Sequence, residues 1–265
     1  MNTNHAATIV MIHGMCCGSW YWQNFKDLFE KKGYQCLCPT LRFHDAEFGA
    51  VPHPQLGTTS ILDYADDLEQ QIRSLQAPPI LIGHSMGGLL VQILASRGLA
   101  DRAVLLTPAP PRGIIALRPS AIRAFLSGLM RWGFWKKPFR QTFNEASYAV
   151  LHRLPEDERP YVYKKLVHES GRAACEIGFW LFDLHKTTAV DASHVQCPTL
   201  VVGAAHDRLI SLSVTRQIAK KYSHVATYKE FDNQSHWLIA EPGWQEVAEY
   251  VASWLEQYTN KNTKH

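Results

Sequence analysis

The sequence lacks a large excess of charge of either sign, a membrane-length apolar run and cysteines spaced for zinc. Its 27 lysine and arginine residues nearly balance 24 aspartate and glutamate residues, giving a formal net charge of +3. This balance argues against nucleic acid as a partner. Basic residues occur singly or in pairs, scattered most densely between Arg112 and Arg140. No apolar run approaches the roughly 18 residues of a membrane-spanning helix, so no membrane span is expected.

The six cysteines show no C-x-x-C spacing, so neither a zinc site nor a thioredoxin-like motif is indicated. Cys36 and Cys38 flank one residue of a predicted strand and therefore point to the same face, which places them poorly for a disulfide. The polar stretch 1–5 leads directly into a strand with no secretory signal pattern. We therefore expect reduced, mostly buried thiols in a cytoplasmic protein.

Short apolar runs alternate with amphipathic helical patterns along most of the 265 residues. This alternation predicts an α/β fold with a mostly parallel sheet of about six strands flanked by helices. The predicted strands are 8–12, 35–39, 79–82, 103–106, 199–203 and 225–231. The predicted helices are 20–32, one that begins after Ser60, 88–97, about 213–222, and 244–257.

The alternation is interrupted between residues 112 and 191. This stretch has no strand-like run and contains helical patches rich in aromatic residues, broken by proline and glycine. It predicts a helical cap, 112–191, inserted after the strand that ends near Thr107. The sheet core would then consist of 1–111 and 192–265.

A serine lies at a sharp turn between the strand at 79–82 and the following helix. The local sequence is Gly83-His84-Ser85-Met86-Gly87, a G-x-S-x-G pattern in the strand-turn-helix context of a nucleophile elbow. Side chains two residues before and after the serine would crowd so tight a turn, which favours glycine there. Ser85 is therefore the candidate nucleophile.

A serine nucleophile needs a base, and the base needs an acid to orient it. Asp207 follows the strand at 199–203, and His236 follows the strand at 225–231, so both should lie at the carboxyl edge of the sheet with Ser85. The chain order Ser85, Asp207, His236 matches that of α/β-hydrolases. Asp232 is a rival acid, but it lies only four residues before His236 and beside the strand end, so Asp207 is preferred.

An oxyanion hole needs two backbone N–H groups directed at the developing charge. We expect one from Met86, the residue after the nucleophile, and the other from Met15 in the loop after the first strand. Cys16 and Cys17 in the same loop are alternative nucleophiles. They lack an elbow, so we interpret them as small residues that line a pocket.

The chain resembles α/β-hydrolase fold enzymes over nearly its whole length. The segments His13-Gly14-x-x-x-Gly18-x-Trp20-x-Trp22 and 83–88 are similar to those of small esterase and lactonase-like members. The resemblance implies catalysis without a metal or cofactor and a sheet that lacks the first two strands of the superfamily. Epoxide hydrolases and haloalkane dehalogenases have aspartate where this chain has Ser85. Plant hydroxynitrile lyases have lysine where this chain has Trp237.

These features predict a serine hydrolase that cleaves a small or medium apolar carboxylic ester through an acyl-enzyme, with no metal site. An acyltransferase, a carbon–carbon bond hydrolase, a cofactor-independent oxygenase and a non-catalytic ligand-binding protein remain alternatives on the same fold. The expected partner is a small apolar ester, and the oligomeric state is left open. The candidate substrate contacts are Cys16, Trp132, Phe179, Trp180 and Trp237.

Overall fold

A computed structural model describes residues 7–259 of the chain and contains eight strands. The strands are β1 (Thr8–Ile12), β2 (Gln35–Leu37), β3 (Ile80–His84), β4 (Arg102–Leu106), β5 (Pro138–Phe139), β6 (Glu169–Ser170), β7 (Thr199–Ala204) and β8 (Ala226–Phe231). Six of them form a parallel sheet in the order β2-β1-β3-β4-β7-β8. Central strands β3, β4 and β7 are fully buried, as their continuous apolar sequences require. The predicted fold class is confirmed.

Ten α-helices accompany the strands in residues 7–259. They are α1 (Gln23–Lys31), α2 (Ile61–Arg73), α3 (Met86–Ser96), α4 (Pro119–Ala124), α5 (Leu126–Leu129), α6 (Phe143–Ala149), α7 (Arg159–Tyr163), α8 (Gly171–Gly178), α9 (Leu212–Lys221) and α10 (Trp244–Thr259). Ser60 caps α2 in a capping box with Asp63, as its position before the apolar stripe predicts.

The strand order reverses between β1 and β3. The chain moves outward from β1 to β2 and then continues from β3 in the other direction, so right-handed crossovers place α1 on one face and α2 and α3 on the other. Ligand sites in such sheets lie beyond the carboxyl ends of the strands at this reversal. The loop that starts at His13 and the turn at Ser85 both leave the sheet there.

Some local predictions differ from the structure. The prediction that 112–191 contains no strand is wrong, because β5 and β6 pair antiparallel within it; two-residue strands are too short to show a period. The helix predicted from residue 20 begins as a 3-10 turn over Ser19–Trp22. Strand β2 ends at Leu37, two residues before Pro39, which has no N–H for a ladder. The division into core and cap stays a prediction.

All six cysteines are free; Cys16, Cys17 and Cys36 are buried and the other three are half-buried. Within residues 7–259, no helix has the length and apolar character to cross a membrane. The same residues contain no group of three or more His, Cys, Asp and Glu side chains arranged to hold a metal ion.

Candidate active site

Ser85 occupies a strained turn between β3 and α3. Its φ of 54° and ψ of −119° are unusual for a residue with a side chain. A Cβ atom on Gly83 would lie 2.3 Å from the carbonyl oxygen of Gly87, and one on Gly87 would lie 2.1 Å from that of Ile12. Neither position has room for a side chain. The Ser85 N–H donates to the Leu106 carbonyl (3.0 Å), which anchors the turn to β4.

The structure brings Asp207 and His236 to Ser85. The His236 Nδ1–H donates to Asp207 Oδ2 (2.7 Å), which leaves Nε2 to accept from the Ser85 hydroxyl at 3.0 Å. Asp207 Oδ1 accepts from the N–H groups of Leu209 (2.7 Å) and Ile210 (2.8 Å), so the carboxylate is held from both sides. This chain of hydrogen bonds has the connectivity that transfers a serine proton to an oriented imidazole.

The loops that carry Asp207 and His236 are joined through their backbones. The His206 N–H donates to the Gln234 carbonyl at 2.9 Å, which sets the spacing of the two side chains one and two residues later. Asp232 lies earlier in the second loop, is exposed and forms no hydrogen bond with His236. Of the two candidate acids, only Asp207 contacts the histidine.

The Met15 and Met86 amide N–H groups have no hydrogen-bond acceptor among residues 7–259. Both residues border Ser85 in the same cavity. Gly14 allows the loop after β1 to approach the turn at Ser85 closely, since a Cβ atom on residue 14 would lie 3.1 Å from the Ser85 Cβ. Two unpaired donors beside a nucleophile are what an oxyanion hole requires.

The loop that contains Met15 is held on both sides of that residue. His13 Nδ1–H donates to the Gly14 carbonyl (2.9 Å), and its Nε2 accepts from the Leu41 N–H (3.1 Å). Burial lowers the pKa of His13 to about 3, with a further contribution from His44, so the ring is neutral as these bonds require. The Cys16 carbonyl accepts from the Val167 N–H at 2.9 Å.

Glu169, from the segment between β4 and β7, anchors the loop that contains Met15. Its Oε2 accepts from His44 Nε2 (3.0 Å) and from the Cys16 N–H (3.4 Å), and its Oε1 accepts from the Tyr64 hydroxyl (2.8 Å). The side chains of Glu169 and His44 are both inaccessible to solvent. Burial raises the pKa of Glu169. The charge of His44 and the hydrogen bonds donated to the carboxylate lower it by more, so the net pKa lies below its ordinary value.

His44 is the charged partner of that carboxylate. Burial lowers the pKa of His44, but the charge and hydrogen bond of Glu169 outweigh it, and the net pKa is raised. The pair is therefore an ion pair over the pH range between the two pKa values. Breaking such a pair by removing one partner is strongly destabilising, because it leaves a buried charge without compensation.

His84 supports the backbone of His236. Burial and the neighbouring His236 lower the pKa of His84 well below its usual range, so the ring is neutral. Its Nε2–H donates to the His236 carbonyl at 2.7 Å, and its Nδ1 accepts from the Tyr21 hydroxyl. The ring of His84, next to Ser85 in the chain, thus fixes the backbone of His236.

Two apolar chambers meet at Ser85. The larger, about 110 Å³, lies under α4, α5 and α8 and has no charged side chain in its wall. The smaller, about 40 Å³, is bordered by residues 14–17, His236 and Trp237. Met15, Ser85, Phe125 and Leu209 border both chambers. Ser85 therefore lies where the two chambers join.

The five candidate substrate contacts divide into two groups. Phe179 lines the larger chamber, and Cys16 and Trp237 line the smaller one. Trp132 and Trp180 line neither chamber: Trp132 is 85% exposed, and Trp180 donates its indole N–H to the Ile114 carbonyl (3.1 Å). The roles of all five residues as substrate contacts stay predictions. Burial raises the pKa of the Cys16 thiol, which disfavours the thiolate that a cysteine nucleophile would need.

Sequence patterns did not reveal Glu169, His44, Tyr64, His84 or Tyr21. Glu169 lies 105 residues after Tyr64 and 125 residues after His44 in the chain, so no local pattern connects these three residues. His84 lies inside the elbow motif, and its adjacency to Ser85 was the one available signal.

We expect Glu169→Gln to lower kcat with little change in KM, because the loop that carries the Met15 N–H loses its buried anchor. Glu169 contributes stability above its unfolded pKa, about 4.3, and His44 contributes below its own, about 6.5. The substitution should therefore cost about 3–5 kcal/mol of unfolding free energy near pH 5.5 and less near pH 8.5. Urea unfolding at both pH values, with steady-state kinetics, measures this.

Glu176→Gln is the matched control for that variant. Glu176 is also a buried carboxylate of the same segment and accepts from the Ser60 hydroxyl (2.9 Å) and the Ile61 N–H (2.8 Å), but it does not contact the loop that contains Met15. Glu176→Gln should lower the free energy of unfolding without lowering kcat. Equal kcat losses in the two variants would contradict a specific role for Glu169.

The fold and the Ser85 site together define a hydrolase-type α/β protein with a nucleophile elbow. The sequence profile of the Alpha/beta hydrolase family matches residues 9–250, and the chain belongs to this family. Among curated relatives, Methylesterase 17 of Arabidopsis thaliana is 35% identical over 82 residues, 30% of this chain and 28% of that protein. Salicylic acid-binding protein 2 of Nicotiana tabacum is 30% identical over 82 residues, 30% of each chain. The matched segments span about a third of these relatives.

Solved structures with the same fold cover nearly the whole chain. The methylesterase MES16 from Arabidopsis superposes with a TM-score of 0.71 at 14% identity, covering 95% of this chain and 99% of that one. A pyrethroid hydrolase from Sphingobium faniae JZ-2 has a TM-score of 0.71 at 17% identity, covering 95% and 98%. At these identities the likeness concerns the fold alone.

Proposed function

We propose that this protein is a serine carboxylesterase that hydrolyses esters of apolar acids with small alcohols. The observation that carries the proposal is the hydrogen-bond chain from Ser85 Oγ through His236 to Asp207, at 3.0 and 2.7 Å, beside two unpaired N–H groups. The names of the matched relatives, which include plant methylesterases, support the same reaction class.

In the first half of the reaction, His236 Nε2 accepts the Ser85 proton as the hydroxyl oxygen attacks the ester carbonyl. Asp207 stabilises the imidazolium through the Nδ1–H bond. The carbonyl oxygen becomes an oxyanion that accepts hydrogen bonds from the Met15 and Met86 amides. Collapse of this intermediate breaks the bond to the alkoxy oxygen, which takes the proton from His236 and leaves as the alcohol.

In the second half, water replaces the alcohol. His236 takes a proton from water and the resulting hydroxide adds to the acyl carbonyl. The same two amides donate hydrogen bonds to the new oxyanion. Ser85 then leaves and recovers its proton from His236, releasing the carboxylic acid. Each oxyanion donor of this kind typically contributes on the order of 100- to 1000-fold to kcat.

The sizes of the two chambers support an assignment of the two substituents of the ester. The leaving oxygen must be within reach of the His236 proton, and His236 lines only the smaller chamber. We therefore assign the alcohol to the chamber of about 40 Å³ and the acyl group to the chamber of about 110 Å³. The absence of charge from the larger chamber favours an aliphatic or aromatic acid.

We expect kcat/KM to fall by at least about tenfold from the methyl to the butyl ester of one apolar acid, because the smaller chamber cannot hold the longer alcohol. Val150→Ala enlarges that chamber and should restore much of the butyl ester activity. Ile177→Ala, in the larger chamber, is the matched control and should not. A preference of the unmodified protein for the butyl ester would contradict the assignment of the chambers.

A further inference from the structure

A strongly basic surface lies outside the catalytic cavity. Residues 112–140 contain seven of the 27 lysine and arginine residues and none of the 24 aspartate and glutamate residues. The rest of the chain is therefore slightly acidic, and the positive charge is concentrated on one segment. We call residues 112–140, with the adjoining 181–184, the basic cap surface. Its one carboxylate, Asp183, accepts hydrogen bonds from Thr187.

Five cations of the basic cap surface are exposed and lack an acidic partner. They are Arg118, Arg123, Arg131, Lys136 and Lys137, and none forms an ion pair within residues 7–259. Their recorded contacts are with neutral groups: Lys137 Nζ donates to the Trp132 carbonyl at 2.8 Å, for example. Glu145, a half-buried carboxylate that contacts this segment, is bonded to Ser127 and not to these cations. Their charge is available to an anionic partner.

Large apolar side chains are exposed among these cations. Met130 is 78% and Trp132 85% exposed. Phe182 and Leu184 are 82% and 90% exposed, and Arg112 connects their loop to the segment by donating to the Asp183 carbonyl at 3.1 Å. Clusters of exposed apolar side chains mark interaction sites on water-soluble proteins. Apolar and aromatic groups interspersed with lysine and arginine are the pattern of a surface that lies on a lipid bilayer.

The larger catalytic chamber opens on this surface. Leu117 and Ile122 are both exposed, and both also line the chamber. A nonpolar ester dissolved in a bilayer could therefore pass from the lipid to Ser85 along apolar side chains. This continuity connects the basic cap surface to the site without giving it any part in the chemistry.

We propose that the basic cap surface binds membranes that contain anionic lipids. The exposed apolar side chains enter the headgroup region, and the unpaired cations contact lipid phosphates and carboxylates. A second copy of this chain is a poorer partner, because pairing the surface with itself would bring like charges together. Nucleic acid would engage the cations but would leave Met130, Phe182 and Leu184 without a favourable environment.

Cosedimentation with phosphatidylcholine vesicles, with and without about 30 mol% phosphatidylglycerol, tests the proposal. We expect binding to the anionic vesicles at low salt, a marked loss at about 0.15 M salt, and little binding to the neutral vesicles. The assay contains no ester, so its outcome does not depend on hydrolysis. Absence of binding to anionic vesicles, or equal binding to both vesicle types, would overturn the proposal.

Matched variants locate the interaction. Lys136→Glu/Lys137→Glu should weaken the partition coefficient by about 30-fold or more, since each basic residue near an anionic surface contributes about a factor of five. Met130→Ser/Trp132→Ser should weaken it by about tenfold. The control for charge is Lys31→Glu/Lys220→Glu on α1 and α9, and the control for apolar surface is Leu37→Ser on β2.

Both controls should bind as the unmodified protein does. An equal loss in a control and in its matched variant would overturn the assignment to this surface. Tighter binding to a DNA duplex than to anionic vesicles at the same salt would assign the surface to nucleic acid and would also overturn the proposal.

Discussion

Ser85→Ala is expected to lower kcat/KM for the methyl ester of an apolar acid by at least about 10⁴-fold, because the proposed mechanism has no other nucleophile. The thermal midpoint should not fall. The Ser85 side chain makes one hydrogen bond, to His236, and the strained backbone of the turn is unchanged by the substitution. Steady-state kinetics and thermal unfolding of the same preparation measure both effects.

Ser96→Ala is the matched control for that experiment. Ser96 is in the helix that follows the elbow, and its hydroxyl donates only to the Ile93 carbonyl (2.7 Å). It should retain full activity. Substantial activity in Ser85→Ala would refute the mechanism, and loss of folding would show as a lowered thermal midpoint.

Asp207→Asn is expected to lower kcat by about 10⁴-fold with little change in KM. An amide at this position no longer stabilises the imidazolium, and its N–H group favours the tautomer of His236 that cannot accept from Ser85. The buried carboxylate also accepts from the Leu209 and Ile210 amides, so some loss of stability will accompany the kinetic effect. Kinetics and urea unfolding separate the two.

Asp232→Asn provides the comparison, since both aspartates lie on loops at the same sheet edge. Asp232 is exposed and does not contact His236, so its variant should keep activity within about a factor of two. A larger loss in Asp232→Asn than in Asp207→Asn would show that the acid has been misassigned.

The features predicted from sequence are those that depend on local pattern and on the rules of parallel sheets. Gly83 and Gly87 predicted a tight turn, and in the structure backbone atoms lie where their side chains would be. Asp207 and His236 each follow a strand, and parallel strands bring their carboxyl ends together. Their convergence on Ser85 was therefore predictable, although their catalytic roles stay predictions.

The features that sequence could not provide depend on contacts between distant segments. Glu169 accepts from the Cys16 N–H, 153 residues away in the chain, and no pattern near either residue indicates the pairing. The exposure of Trp132 could not be predicted either. Trp132 lies just after α5, a helix of four residues, and so short a helix shows no period that distinguishes a buried face from an exposed one.

The central claim is that Ser85 is a nucleophile activated by His236. Labelling with a fluorophosphonate, which reacts with activated serines, tests it most directly when the modified residue is located by peptide mass spectrometry. We expect one label per chain, on Ser85, with loss of esterase activity in proportion to labelling and no label in Ser85→Ala or after denaturation. Ester hydrolysis that persists with Ser85 fully labelled, or an active protein labelled at another residue, would contradict the account.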